Sequence, residues 1–245
     1  MITWIGHAGF KIEVNDPESG EGKVLFIDPW FGSPNCPEAE KNPAKADLIL
    51  VTHGHFDHCG DAPGLSETTG ATIVCTYELG SYMESKKAKS VTSMNKGGSL
   101  DFGWVSVTMV GADHSGGCLE GGFIGGNPAG FVIRFKGEPL SLYHAGDTNV
   151  FTDMKVLADL YEPKVALLPI GGHYTMGPRE AAYGLNQFLH SVHTVVPMHF
   201  GTFPILKGTP AELEEFLENT FRPDGRRVRV HLMTIGERIP LSSLA

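Results

Sequence analysis

Cysteine is scarce in this chain: Cys36, Cys59, Cys75 and Cys118 are four residues in 245, and no two form a Cys-x-x-Cys pair. Such a set gives no disulfide frame, so the thiols are read as reduced. Basic charge is also in short supply. The 19 Lys and Arg stand against 28 Asp and Glu, a formal net charge of −9, which argues against a dedicated nucleic-acid binder. Long apolar runs are missing too. LILV and VALLPI fall far short of the roughly 20 residues that span a bilayer. Met1 leads straight into ITWIG, and Lys11 and Glu13 break the next apolar stretch, so no charged leader precedes an apolar core. No repeat, low-complexity tract or linker divides the chain. The expectation is a cytoplasmic protein with no membrane partner, folded as a single domain over residues 1–245. With 41% hydrophobic residues the chain can bury a sizeable core, and disorder is excluded as its main state.

What is present is a series of short apolar runs punctuated by glycine and proline. ITWIG, FKIEV, VLFID, DLILVT, ATIVCT, WVSVTMV, FVIRF, LSLYHAGD, KVALLPI, TVVPMH and VRVHLM are strand-sized. FKIEV and VRVHLM alternate, as half-exposed strands do, while LILV and VALL are apolar throughout, as strands covered on both faces are. Helical spacing appears mostly between the later strands: over 151–161 (Met154, Leu157, Ala158, Tyr161), over 178–189 behind Pro178, and after Thr209-Pro210-Ala211-Glu212, a capping box with proline in the first turn. Two sheets with helices outside, packed as four layers, is the fold this order predicts. Residues 111–130 carry eight glycines and read as a loop that supports His114 and walls a pocket.

The densest chemistry follows the buried strand DLILVT: Thr52-His53-Gly54-His55-Phe56-Asp57-His58. Three imidazoles and a carboxylate suit Zn²⁺, Mn²⁺ or Fe²⁺. Crowding them is costly unless a cation sits among them. Three more ligand-type residues follow apolar strands: His114 after WVSVTMV, Asp147 after LSLYHA, and His199 after TVVPM. Singly, each reads as a structural histidine or an Asx-turn aspartate. Together with the first cluster they read as donors at rigid strand ends.

HGHFDH, the distant His114, the Asp147 of GDT and the His199 of MHFGT resemble the metal motifs of the metallo-β-lactamase superfamily. WIGHAGF, IDPW, AGDT, LLPIGGHYTMGP and PMHFGTFP resemble its metal-dependent hydrolase branch, near the ascorbate-phosphate lactonases. The resemblance covers nearly the whole chain and implies an α/β fold, the four-layer αββα sandwich. It implies two divalent ions, with zinc favoured and manganese or iron as alternatives. His53, His55 and His114 would hold the first ion, and Asp57, His58 and His199 the second, with Asp147 bridging. Asp57 would also be catalytic, orienting a metal-generated hydroxide and passing its proton to the leaving group.

Around these donors, His173 in GGHYTMG is a catalytic candidate, as an oxyanion partner or acid, with a loop histidine as the alternative. Tyr174 is a weaker candidate. Asp28 before Pro29 is either the acceptor that fixes a ligating imidazole or a turn residue. His7 is expected to face the site or orient a ligand. His144 is expected to be structural, and His190, His193 and His231 ordinary surface or packing residues. Cys59 reads as a small buried residue, and Cys118 as a thiol on the glycine-rich loop. The runs Lys86-Lys87-Ala88-Lys89 and Arg226-Arg227-Val228-Arg229 read as solvated faces.

The function these residues predict is hydrolysis of a small-molecule ester, lactone or phosphorylated sugar derivative. The alternatives are a phosphodiesterase or nuclease of the same superfamily and a metal-binding scaffold without turnover. A homo-oligomer is an expectation carried only by the resemblance.

Overall fold

The computed structural model describes residues 1–117 and 123–245. Two seven-stranded mixed sheets lie face to face. The first contains β1 (Ile2–Gly6), β2 (Gly9–Asn15), β3 (Gly22–Ile27), β4 (Leu48–Leu50), β5 (Thr72–Thr76) and β6 (Ser90–Met94). The second contains β7 (Ser99–Asp101), β8 (Val105–Gly111), β9 (Ala129–Phe135), β10 (Ser141–His144), β11 (Val165–Pro169), β12 (Thr194–Met198) and β13 (Arg229–Val230). The last strand, β14 (Arg238–Ile239), returns to pair with β1, giving the order β14-β1-β2-β3-β4-β5-β6 against β13-β12-β11-β10-β9-β8-β7.

Alternation along the strands builds the layers. Leu48, Leu50, Ile27 and Phe10 of the first sheet meet Leu142, Leu167, Val196 and Phe131 of the second in the central core. The intervening residues face outward. Ile49, Val51 and Ile73 pack under α2 (Ala62–Thr69) and α3 (Tyr77–Ser85). Ala166, Leu168 and Tyr143 pack under α4 (Met154–Tyr161), α5 (Pro178–Gln187) and α6 (Pro210–Asn219). Because side chains alternate with period two, a strand covered on both faces reads as an unbroken apolar run. The result is the predicted αββα sandwich.

The predicted helix start at Thr209 is present: its hydroxyl accepts from the amide of Glu212, whose carboxylate accepts from the amide of Thr209. The helix read over 151–161 begins later, at Met154, and that over 178–189 ends at Gln187. The early half differs from expectation. It carries α2, α3 and the one-turn helix α1 (Phe56–Cys59), whereas helical spacing points mostly to the gaps between later strands. Pro63, Gly64 and Gly80 hide α2 and α3 from a propensity reading. Pro63 sits in the first turn of α2, where its missing N–H costs nothing. A Cβ on Gly80 would come within 2.1 Å of Ser93 Oγ on β6, so that glycine lets α3 lie close on the sheet. Within the 111–130 stretch, Gly111 ends β8 and Ala129–Gly130 open β9.

Candidate metal centre

Strands β4, β8, β10 and β12 end at one edge of the sandwich, and the loops leaving them bring the ligand-type residues together. His53, His55, His114 and Asp147 each place one donor atom within 4.8 Å of the others, and so do His7, Asp57, His58 and His199. Asp147 joins the two groups. Its Oδ2 lies 3.0 Å from His199 Nε2, 3.6 Å from His114 Nε2 and 4.0 Å from His53 Nε2, and its Oδ1 lies 3.3 Å from His58 Nε2. All seven donors read from the sequence therefore converge.

Strain marks these loop starts. His7 (φ 54°), Asp28 (φ 44°), His173 (φ 60°) and His199 (φ 54°) adopt the left-handed backbone that non-glycine residues seldom occupy. Asp147 follows Gly146, at φ 63°, where a Cβ would meet Ala129 O at 2.7 Å and Thr52 Cβ at 2.9 Å. Only glycine lets the Asp147 turn of the second sheet approach the His53 strand of the first this closely.

Two residues fix the imidazole tautomers. Asp28 is fully buried; its Oδ1 accepts from the backbone amide of Thr52 at 2.8 Å, and its Oδ2 from Thr52 Oγ1 at 2.6 Å and from His58 Nδ1 at 2.7 Å. An ionised carboxylate only accepts. His58 therefore carries a proton on Nδ1 and directs Nε2 toward Asp147, the nitrogen free to exchange a proton for a cation. The Thr52 hydroxyl, having donated to Asp28, accepts from His53 Nδ1 at 3.0 Å, so the lone pair of His53 Nε2 also points inward. This is the outer support that orients metal-binding imidazoles. Of the two readings open for Asp28, the structure selects the acceptor behind His58. Thr52 escapes a reading by residue type, although a hydroxyl immediately before a strand-end histidine cluster is a usable signal.

The buried electrostatics match what metal ligands require. Burial, reinforced by His58, pushes His53 well below the ordinary imidazole range, and burial likewise lowers His55 and His114. Burial opposes ionisation of Asp147, but the neighbouring His199 and His58 outweigh it and hold the carboxyl well down. Burial also works against Asp57, where the hydrogen bond from His7 and the charge of His58 prevail and lower it. His58 goes the other way. Burial disfavours its charge, but Asp147 and Asp28 beside it raise the pKa well above the usual value. The space between those carboxylates thus attracts a positive charge, which a bound cation supplies as well as a proton does.

The residues fit a metal on a second count. His58 Nε2, Asp147 Oδ1 and both ring nitrogens of His199 are buried with no hydrogen-bond partner, and His53 Nε2 faces His55 Nδ1 at 3.0 Å. Buried polar atoms are seldom left unsatisfied. His58 Nε2 and His199 Nε2 face the two oxygens of Asp147 at 3.3 and 3.0 Å, where a cation can satisfy them.

The donors open into a cavity of about 580 Å³, lined by His55, Phe56, Asp57, His114, Ser115, Asp147, Tyr174, His199, Phe203 and Ile205. Trp30 stands behind the aromatic wall, 5.6 Å from the ring of Phe56 and 5.9 Å from that of Phe203. Another cavity, of about 600 Å³, lies between α6 and the Arg226–Arg229 run and contains none of the donors.

The structure separates the expected outer residues. His7 is completely buried against Asp57 and His199, and burial lowers its pKa to about 4. His173 is exposed, its ring edge-on to Tyr174, and does not line the cavity. The turn at Gly172 (φ 70°) and His173 (φ 60°) brings the next side chain, Tyr174, to the cavity instead. His144 donates from Nε2 to Ala8 O and accepts at Nδ1 from the amide of Gly146, a structural tie between the sheets. Cys59 is buried and donates to Gly54 O. Cys118 lies outside the described residues. Among the described residues no helix is long and apolar enough to cross a membrane.

Comparison with known proteins agrees with this geometry. Residues 23–200 match the family described as the beta-lactamase superfamily domain. A UPF0173 metal-dependent hydrolase of Koribacter versatilis is 47% identical over 220 residues, covering 89% of this chain and 91% of the relative. One from Methanopyrus kandleri is 43% identical over 240 residues, covering 96% and 97%. Among solved structures, Igni18, a metallo hydrolase from the archaeon Ignicoccus hospitalis, superposes with a TM-score of 0.79 at 34% identity, covering 96% of this chain and 95% of that one.

Proposed function

The chain belongs to the metallo-β-lactamase superfamily as a metal-dependent hydrolase, and from that premise we propose that it uses two divalent ions, zinc foremost, to hydrolyse a small uncharged ester or lactone. The observation that carries this reading is the pairing of two donor sets through Asp147 with a cavity whose described lining includes no Lys or Arg. Among the described lining residues, none is a fixed cation that would hold a phosphate apart from the metal centre itself. Phe56, Tyr174, Phe203 and Ile205 offer an apolar surface to an acyl group or lactone ring instead. The phosphorylated-sugar substrate and the phosphodiesterase alternative are both less suited to it.

His53, His55 and His114 would hold one ion and Asp57, His58 and His199 the other, with Asp147 shared. When bound, such ions would acidify water, lowering its pKa from 15.7 toward about 7, and would polarise an ester carbonyl. The chain's own residues do the rest. Asp28 and Thr52 keep His58 and His53 in the tautomers that offer Nε2. Asp57 has Oδ2 engaged by His7, which leaves Oδ1 to take up a proton and return it to the leaving oxygen. The aromatic wall offers an apolar surface that positions the substrate.

The test is a substrate panel on protein of measured metal content. Turnover of neutral lactones and carboxylic esters, exceeding that of phosphomonoesters and phosphodiesters, is the expected result. Preferential cleavage of a generic phosphodiester would reverse the assignment. Two bound ions with no turnover of any of these would favour the scaffold reading.

A further inference from the structure

We infer that His7 is a positioning residue of the metal centre: it locks the orientation of Asp57, with Thr202 fixing its tautomer. The inference rests on the two-ion reading of the centre and is independent of the substrate.

His7 reaches the centre from the turn between β1 and β2, in neither the His53–His58 cluster nor any of the three later loops. Its ring is fully buried. Nε2 lies 3.0 Å from Asp57 Oδ2, and Nδ1 lies 2.9 Å from Thr202 Oγ1. The carboxylate can only accept, so Nε2 carries the proton and donates, and Nδ1 accepts from the Thr202 hydroxyl. Thr202 lies three residues after His199, so both belong to the loop leaving β12. One ring therefore ties a carboxylate of the first half to the loop of the second half that supplies His199.

The backbone is clamped as firmly as the ring. The carbonyl of His7 accepts from Trp4 Nε1 at 3.0 Å and from the amide of His199 at 3.0 Å. The ring lies 3.9 Å, centroid to centroid, from that of His199. The residue also holds a left-handed backbone, φ 54°, which contacts on every side must maintain. Asp57 needs this support. It sits on the single-turn helix α1 and is partly exposed, and its Oδ2 lies 3.9 Å from both His58 Nε2 and His199 Nε2. A carboxylate oxygen has lone pairs for one donor and one cation together. Without the imidazole, Asp57 is free to rotate toward the cavity mouth.

Two substitutions separate positioning from direct ligation and from mere packing. His7→Asn suits the left-handed backbone and keeps an amide at the level of Nδ1, but is too short to reach Asp57. His7→Gln places an amide nitrogen near the position of Nε2 and restores the donor. Metal content and chelator competition are measured on both variants and the unaltered protein, together with the absorption spectrum of each after cobalt substitution. His7→Asn is expected to weaken one of the two ions by about 10–100-fold, the scale of outer-partner losses, and to leave the other unchanged. His7→Gln is expected to recover most of that loss with the parental cobalt spectrum. Thr202→Val, which removes the tautomer lock, is expected to give a smaller loss at the same ion. Parental affinity for both ions in His7→Asn would overturn the inference. So would an altered cobalt spectrum in His7→Gln, which would make His7 a ligand. The stoichiometry of the unaltered protein reports on the two-ion reading, whereas the Asn and Gln contrast reports on His7, so the two fail separately.

Discussion

The two sheets are built to one plan. Across the first, from β14 to β6, three antiparallel pairings are followed by three parallel ones. Across the second, from β7 to β13, the pattern is the same. Their contributions to the centre differ. The first sheet delivers His53, His55, Asp57 and His58 from one loop after β4, backed by His7 and Asp28. The second delivers His114, Asp147 and His199 from three loops, after β8, β10 and β12. The first cluster is a local structure, set by a few residues of backbone. The second exists only because β8, β10 and β12 lie in register. At the centre itself, Asp147 and the His7 hydrogen bonds join the halves.

The largest effect should come from cutting that join. On the proposed two-ion centre, Asp147→Ala removes a donor common to both sets, so both ions should be weakened by more than about 100-fold, above what outer partners alone account for, with turnover lost in parallel. His55→Ala should weaken only the ion of the first set, with loss of activity. Elemental analysis alongside kinetics checks both. Loss of a single ion in Asp147→Ala would mean that the halves are not coupled through it.

Next come matched truncations of the central core. Leu50→Ala in the first sheet and Leu167→Ala in the second remove fully buried side chains that face one core. Each should cost about 2–5 kcal/mol and lower Tm by roughly 5–15 °C. Calorimetry should record a single transition in both variants. Two transitions would show that the sheets unfold separately.

Metal removal should cost a comparable amount. An ion present at about 100 times its Kd adds about 2.7 kcal/mol of stability per site. Chelation of both ions should therefore cost about 5 kcal/mol and lower Tm by roughly 10–20 °C, reversibly on adding zinc, and an unchanged Tm would place the ions outside the folded state's stability. The smallest effect should be at the surface of α4, where Lys155 and Asp159 pair at 2.7 Å across one helical turn. Lys155→Ala should cost less than about 0.5 kcal/mol, with metal content unchanged.

Much of this architecture is legible in the residues. The apolar runs mark eleven of the strands, and Thr209-Pro210-Ala211-Glu212 marks the start of α6. The strands that escape are polar or very short. Ser90–Met94 and Ser99–Asp101 are rich in hydroxyls, and Ser99 pairs with Thr108 at 2.7 Å rather than filling a core. Arg238–Ile239 is too short to carry a period. His53, His55, Asp57 and His58 are recognisable because donors crowded at a strand end are costly to keep together without a cation, and His114, Asp147 and His199 because they follow apolar strands in the order of the family's motifs. Thr52 and Thr202 are not, because a hydroxyl becomes part of a site only through the partner it meets. His173 and Tyr174 are adjacent in the chain, and only the left-handed turn decides which of them faces the cavity.

The chain by itself determined the layers and the demand for a cation. Period-two alternation is a local property of extended backbone, and three histidines and an aspartate within six residues repel or desolvate one another unless a positive charge joins them. Tertiary structure decided which distant donors share a centre, which nitrogen each imidazole offers, and that His7 bonds to Asp57. Those outcomes depend on distances between loops that only sheet-on-sheet packing sets.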